Sequence, residues 1–332
     1  MSTDQAVVYD VSDECVHPHD DAPLWQESSF LAWWSDAAGV GGVHRVGHEP
    51  NREIANVGIG VMRSDGTRYR RNEEGVPLDL ALHAENRLGA GTASGESGSQ
   101  VFMAGGPHYL EVREPGCELD LDFADYHPRF DYWSLTAEEA HREPFARGHF
   151  QVTGSVRGRL RLAGSTYDFE GVGHRDHSWG PRDWWLTNSH RQLCGGLGPE
   201  FAFAVMTVHL DNGILTRQGH VTRDGEITIA TDMDVVVHTE IDGFSHRRAE
   251  ARVLLEDGSE HLLAVDVQDA TSWSCHEFWS VDGLGPVEVD GKRGGGGDAA
   301  ISTNALRGRT PPTLGIRAAI DNGLTRRDGG AA

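Results

Sequence analysis

The fold is decided by residues 201–230, which read FAFAVMTVHLDNGILTRQGHVTRDGEITIA. Apolar or alternating segments flank the dipeptide Asn212-Gly213, and another such segment follows Asp224-Gly225. Both dipeptides are typical of tight hairpin turns, because their residues tolerate a positive φ. Successive strands joined by short turns form a meander, which is the connectivity of an up-and-down antiparallel β-barrel.

The same turn signal recurs along the chain, whereas helical periodicity is scarce. Further Asp-Gly dipeptides lie at residues 65–66, 257–258, 282–283 and 290–291. Only residues 136–141 suggest a helix, a connecting turn or two opened by Thr136. We therefore predict an all-β protein built of hairpins.

The length of 332 residues exceeds the usual size of one domain and predicts two. We place an N-terminal β domain at residues 1–145 and a C-terminal β-barrel at residues 146–292. Residues 293–332 are predicted to be a polar, partly disordered tail.

The charge of the chain excludes some partners. The 51 Asp and Glu outnumber the 29 Lys and Arg, which argues against nucleic acid, since phosphate binding needs local positive charge. The longest apolar run, residues 201–208, is far shorter than the roughly 20 residues of a membrane-spanning helix. No export signal precedes residue 21 and no C-x-x-C pair occurs, so we expect reduced cysteines and a cytoplasmic protein. Transient membrane contact and the oligomeric state stay open.

The segment richest in chemical groups is residues 171–185, GVGHRDHSWGPRDWW. In an extended conformation, alternate side chains would place Arg175, His177 and Trp179 on one face. His174, Asp176 and Ser178 would then lie on the other, and periodicity leaves open which face lines a pocket.

A carboxylic acid held in an aromatic cavity can stay protonated near neutral pH, because desolvation disfavours its charged form. Asp176 or Asp183 would then donate a proton, and the tryptophans could stabilise a carbocation. The alternative is that Arg175 and Arg182 form ion pairs with these two residues, which would lower their pKa values.

The pattern Gly-x-Gly-x-x-Asp-His-x-Trp-Gly at residues 171–180 resembles the signature of the hydroxyneurosporene synthase (carotenoid hydratase) and AttH-like superfamily. Residues 25–28 and 41–52 are similar, more loosely, to uncharacterised bacterial members. The sequence departs from the signature at two points: Ser178 stands where the signature has Asn, and the tyrosine that precedes the Asp in the signature is absent. The resemblance implies two tandem lipocalin-like domains. It also implies protonation of a C=C bond by Asp176 and capture of the cation by water.

These observations predict an enzyme, a hydratase or isomerase of the lyase class, acting on a bulky hydrophobic substrate such as a terpenoid, steroid or polyene. The step would be an acid-assisted hydration, isomerisation or cyclisation. The alternative is a non-catalytic binding protein for a lipid or another apolar small molecule.

The candidate catalytic residues are Asp176 and His177. The candidate substrate-binding residues are His174, Arg175, Trp179, Arg182, Trp184 and Glu277. Arg45 and His48 could face a pocket between the domains, but a solvated Arg/His pair is the more common outcome and is the one expected here. No cofactor and no metal are expected, because neither His17 with His19 nor His174 with His177 has a third ligand at a familiar spacing.

Overall fold

The computed structural model describes residues 9, 11–91, 98–103, 109–131, 146–276, 278–304 and 316–327. Within these ranges the chain is nearly all β, with one short α-helix, α1 (Leu80–Ala84), and single 3-10 turns at Val11–Glu14, Pro50–Arg52 and Trp184–Leu186. No helix of the described ranges is long and apolar enough to cross a membrane.

The strands are β1 (Trp25–Ser35), β2 (Val40–Glu49), β3 (Ile54–Arg63), β4 (Thr67–Pro77), β5 (Arg87–Gly91), β6 (Gly98–Phe102), β7 (Leu110–Glu114), β8 (Cys117–Asp125), β9 (Phe130–Asp131), β10 (Gly148–Leu162), β11 (Ser165–Pro181), β12 (Thr187–Gly198), β13 (Phe201–Leu210), β14 (Leu215–Arg223), β15 (Glu226–Thr239), β16 (His246–Leu255), β17 (Glu260–Asp266), β18 (Asp269–Cys275), β19 (Phe278–Val289), β20 (Lys292–Asn304), β21 (Ala318–Ala319) and β22 (Gly323–Arg326).

The first sheet is a curled half-barrel in the order β22-β4-β3-β2-β1-β11-β10-β8-β7-β6-β5, with β9 paired to β10. Its apolar core includes Leu31, Ile59, Leu119 and Trp33, and the Trp33 ring stacks on Phe169 with centroids 4.3 Å apart. Alternate residues of each strand supply this core, as the two-residue period of a strand requires.

The second sheet closes on itself. Its order is β17-β16-β15-β14-β13-β12-β20-β19, and β17 also pairs with β19, which makes an eight-stranded barrel. Strands β18 and β21 extend the sheet beyond β19. Inside the barrel lie Leu193, Phe203, Val253 and Val281. The predicted all-β fold of two lipocalin-like units is confirmed.

The predicted meander is β13, β14 and β15, with Gly213 at φ +86° and Gly225 at φ +85° in its turns. The turn predicted at Asp282-Gly283 is wrong, because both residues lie inside β19 and pair with β20. Gly283 serves close packing there: a Cβ at this position would lie 2.5 Å from the His246 ring. The helix predicted at residues 136–141 lies outside the described residues.

The sheets divide the chain at other points than the predicted boundaries. Strands β10 and β11 pair with β8 and β1, so the first sheet extends to Pro181 and not to residue 145. Strand β20 closes the barrel between β12 and β19, so residues 292–304 are not a tail. Strand β22 then returns to β4. Hydrogen-bonded partners far away in sequence fix these assignments.

The first sheet packs against the outside of the barrel. Trp34, Met62, Trp184, Trp273 and Phe278 form an apolar cluster between the two. Strand β3 approaches β18 so closely that a Cβ at position 60, a glycine, would lie 2.3 Å from Thr271 Cγ2. The gap left between the sheets positions the site described next.

Candidate functional site

A cavity of about 90 Å³ lies between the first sheet and the outer wall of the barrel. The first sheet contributes β1, β2, β10 and β11, and the barrel side contributes β12, β13, β18 and β19. Apolar lining side chains include Phe30, Trp184, Met206, Trp273 and Phe278. Polar ones include Arg45, His149, Gln151, Asp176, Arg182, His190, Gln192 and Asp282. An aromatic wall with a few converging polar groups is typical of a small-molecule site.

The face of β11 that carries Asp176 borders the cavity. Ser178 Oγ lies 2.9 Å from Ser28 Oγ and accepts a hydrogen bond from Arg182 at 2.7 Å. His174 lies one layer back, with Nε2 3.0 Å from Oε1 of the cavity residue Gln151. The predicted alternation is therefore observed, and the structure identifies the face that the sequence left open.

The opposite face of β11 points away from the cavity. Arg175 binds Glu14 at 2.6 Å and Asp125 at 3.0 Å. His177 and Trp179 also lie on this face. Three candidate site residues, Arg175, His177 and Trp179, are thus not brought to the cavity, because odd-numbered residues of this strand point to the other side.

Of the remaining candidates, Asp176, Arg182 and Trp184 line the cavity. Glu277 lies outside the described residues. Asp183 caps the turn before β12, where its carboxylate accepts a hydrogen bond from the Trp185 backbone N–H at 2.9 Å. Asp183 therefore caps this turn and is not among the residues that line the cavity.

Asp176 is held as a carboxylate. Burial alone would raise its pKa, but the imidazole of His149, 3.6 Å from its Oδ2, lowers it, and Arg182 and His174 add to this effect. The net pKa lies below the usual value of an aspartate. A carboxylate that is ionised at neutral pH is a poor proton donor, so the sequence-based assignment of Asp176 as the acid is not supported.

Asp282 has the opposite electrostatics. It is about 1% exposed, and within the described chain its Oδ2 and both carboxyl oxygens of nearby Asp298 have no hydrogen-bond partner. Burial raises the pKa of Asp282, and the neighbouring Trp273 and Ser280 offset only part of this rise. Burial and the charge of Asp282 both raise the pKa of Asp298. The sequence did not point to Asp282, because the Asp282-Gly283 dipeptide is typical of a turn. The alternating apolar residues around it could have indicated a strand with Asp282 on one face.

Two guanidinium groups enclose Trp184. Arg182 lies 4.6 Å and Arg45 lies 5.3 Å from its ring centroid, and Arg45 lies equally far from the Trp273 ring. Arg45 also donates to Gln26 Oε1 at 2.7 Å and is buried, so the prediction of a solvated Arg45 is wrong. Across the cavity, burial lowers the pKa of His190 to about 4, which keeps its imidazole neutral.

Two groups of side chains in the described chain are close enough to share a metal ion. They are His17 with Glu27 and His177, and Glu49 with Cys275 and His276. The spacing of neighbouring histidines could not predict either group, because the members of each group are distant in sequence and meet only in the folded chain.

The family model described as "Domain of unknown function (DUF7064)" matches residues 10–305. A search of curated proteins found no match. Several solved structures have a similar fold. The CghA structure with Sch210972 is 14% identical, covering 85% of this chain and 89% of that chain, with a TM-score of 0.57.

The protein assigned as AttH from Nitrosomonas europaea is 10% identical, covering 91% of this chain and 98% of that one, with a TM-score of 0.57. Kievitone hydratase from Nectria haematococca is also 10% identical, covering 91% and 95%, with a TM-score of 0.56. At these identities the likeness concerns the fold, and at that level the resemblance to the AttH-like group is confirmed.

Proposed function

The chain belongs to the DUF7064 family, and we propose that it is an enzyme that acts on a hydrophobic molecule by acid-assisted hydration, isomerisation or cyclisation. The observation that carries the proposal is Asp282, a buried carboxyl group in the wall of an aromatic cavity, with no ion-pair partner in the described chain. Burial raises the pKa of Asp282 to about 7, so a large share of this carboxyl group is protonated near neutral pH and can donate its proton.

In this proposal Asp282 protonates a carbon of a C=C bond. Asp176 and His149 face the same cavity, 3.6 Å apart. The carboxylate of Asp176 can accept a proton from an attacking water molecule. Addition of water gives a hydration, and loss of a proton from a neighbouring carbon gives an isomerisation. Attack by a second double bond, followed by loss of a proton to Asp176, gives a cyclisation.

The two arginines narrow the substrate class. A free carbocation beside Trp184 would be repelled by Arg45 and Arg182, which already occupy its neighbourhood. The same groups would instead stabilise the oxygen of a conjugated carbonyl, on which negative charge develops when water adds to the far carbon of the C=C bond. Asp176 then takes the proton of that water, and Asp282 protonates the carbon next to the carbonyl. We therefore favour an oxygenated terpenoid, steroid or polyene over a pure hydrocarbon.

The size of the cavity fits the reacting end of such a molecule. Its volume of about 90 Å³ is below the roughly 300–1,000 Å³ of pockets that enclose a whole drug-sized ligand. The rest of a larger substrate would extend out of the cavity or displace the methionine side chain of Met206, which has three rotatable bonds. Among proteins with this fold, one is named kievitone hydratase and the CghA structure contains Sch210972, which supports a hydration and a small-molecule ligand in general terms.

The test is to identify the ligand and then its conversion. An organic extract of the purified chain is analysed by mass spectrometry, and the compounds found are incubated with fresh protein. We expect an apolar oxygenated molecule and a product that has gained one water or is isomeric with it. Binding without conversion would instead leave the non-catalytic binding protein, and no binding across terpenoids, steroids and fatty acids would overturn both.

A further inference from the structure

Behind β11, on the side away from the cavity, two imidazoles meet one carboxylate. His17 Nδ1 lies 3.0 Å from Glu27 Oε1, and His177 Nε2 lies 2.5 Å from the same oxygen. All three ligand atoms lie within 4.8 Å of one another. Glu27 is on β1 and His177 on the adjacent β11, while His17 precedes β1 and stacks on Trp179 at 3.7 Å.

The carboxylate of Glu27 is in an unusual electrostatic position. The side chains of Glu27 and His177 are 0% exposed, and that of His17 is 18% exposed. In the described chain no arginine or lysine forms an ion pair with Glu27. A buried carboxylate requires a compensating cation, because desolvation of an isolated charge is costly.

Further imidazoles lie beside this group. His48 lies opposite Glu27 on β2, and its Nδ1 is 3.1 Å from Nδ1 of His83. The local excess of imidazole over carboxylate is the composition of a transition-metal site.

We propose that His17 Nδ1, Glu27 Oε1 and His177 Nε2 bind a divalent transition-metal ion, with Zn²⁺ as the best fit. Two imidazoles and one carboxylate form a ligand set that Zn²⁺ uses at about 2.0–2.2 Å, and three protein ligands leave a fourth position open. Tetrahedral bonds of that length separate ligand atoms by roughly 3.3 Å, which is close to the 3.0 Å between His17 Nδ1 and Glu27 Oε1. His17, the partly exposed ligand, provides the route of entry.

The second candidate group does not share these properties. Glu49 Oε2 accepts a hydrogen bond from Arg52 at 2.7 Å, and its Oε1 accepts from Gln26 and Asn56. A guanidinium at this distance repels a metal cation and already neutralises the carboxylate. This group therefore serves as an internal control.

The proposed ion would fasten the segment before β1 to the first sheet. It is independent of the proposed enzymatic function, because His177 and Asp176 point to opposite sides of β11. Occupancy would make the thermal stability of the protein depend on the concentration of free Zn²⁺.

The experiment is isothermal titration calorimetry, in which ZnCl₂ is added to the full chain. The protein carries no affinity tag and is first treated with EDTA, which is then removed. We expect binding of about one ion per chain and a rise in melting temperature. Replacement His17→Ala removes a ligand from the partly exposed segment and should weaken Zn²⁺ binding about 100-fold or more, beyond the effect of losing an outer-shell partner. Glu27→Gln should do the same while nearly preserving the side-chain shape.

The matched control is His19→Ala, which removes an exposed imidazole two residues away. This variant and His276→Ala should bind Zn²⁺ as the wild type does. The proposal is overturned if the wild type takes up no Zn²⁺, or if folded His17→Ala binds it with unchanged affinity. Circular dichroism establishes that each variant is folded, and His17→Ala decides the matter if Glu27→Gln is not.

Discussion

Asp176 and Asp282 line one cavity but hold their protons differently. Asp176 lies beside His149 and near Arg182, which keep its pKa low. Burial raises the pKa of Asp282, and burial together with the charge of Asp282 raises the pKa of Asp298. The difference arises from neighbours on other strands, so the motif around Asp176 could predict acidic chemistry but not which carboxyl performs it.

The raised pKa values have a consequence for stability. A carboxyl group whose pKa is higher in the folded than in the unfolded state makes its full contribution to stability below the unfolded pKa, where it is protonated in both states. This contribution falls by about 1.4 kcal/mol per pH unit from the unfolded pKa near 3.9 up to the folded pKa. Asp298→Asn removes one such group. We expect its melting temperature to exceed that of the wild type increasingly as pH rises above about 4.

A pH series of thermal unfolding curves for both proteins measures this effect. A difference in melting temperature that stays constant, or shrinks, from pH 5 to pH 8 would show that Asp298 is not a buried acid.

Among the elements, turn dipeptides and residue alternation predicted where strands lie better than they predicted which strands pair with each other. Residues 201–230 form the predicted meander, since both turns and alternation are encoded within a few residues. The pairing of β11 with β1 and the place of β20 in the barrel depend on segments more than a hundred residues away. Asp282-Gly283 has the composition of a turn, yet cross-strand pairing with β20 keeps it extended.

The contact between the two sheets also rests on a distant pair. Arg68 on β4 donates two hydrogen bonds to Asp269 on β18, at 2.8 and 2.5 Å, and both side chains are at most 5% exposed. Breaking a buried pair by removing one charge costs about 3–5 kcal/mol. We expect Asp269→Asn to lower the free energy of unfolding by about this amount, as measured by urea denaturation.

The control for this variant is Asp168→Asn, which breaks the exposed pair of Asp168 and Arg159. Surface pairs contribute only about 0–1 kcal/mol, so this change should be nearly neutral. Equal effects of the two variants would contradict the role assigned to the Arg68 contact.

For the whole molecule, the site belongs to neither sheet alone. The sequence predicted an apolar ligand and identified Asp176, Arg182 and Trp184, which do line the cavity. It did not point to His190, and it gave a pocket between the domains only as the less favoured position of Arg45. The exposure of both residues depends on how the first sheet packs against the outside of the barrel. That packing is formed by side chains from strands distant in sequence and has no local pattern.

Blocking the cavity should separate binding from folding. Met206 lines the cavity on the barrel side, so Met206→Trp would fill space that a ligand needs, at a cost of about 1–3 kcal/mol from overpacking. We expect loss of the quenching of tryptophan fluorescence by an apolar ligand, while circular dichroism stays β-like. Leu262→Trp, at a 59% exposed position, adds the same ring outside the cavity and should leave quenching intact. Unchanged ligand affinity in Met206→Trp would place the binding site elsewhere.

The assignment of Asp282 as the acid depends on one measurement, the turnover of Asp282→Asn on the identified substrate, with ligand affinity determined in parallel. The replacement keeps the shape of the side chain but removes the donated proton. We expect nearly unchanged affinity and a loss in turnover of about 10²- to 10⁴-fold, the usual effect of removing a general acid. In the wild type, turnover should fall as pH rises through the pKa of Asp282, because only the protonated form donates. Wild-type turnover in a folded Asp282→Asn variant would contradict the assignment of Asp282 as the acid.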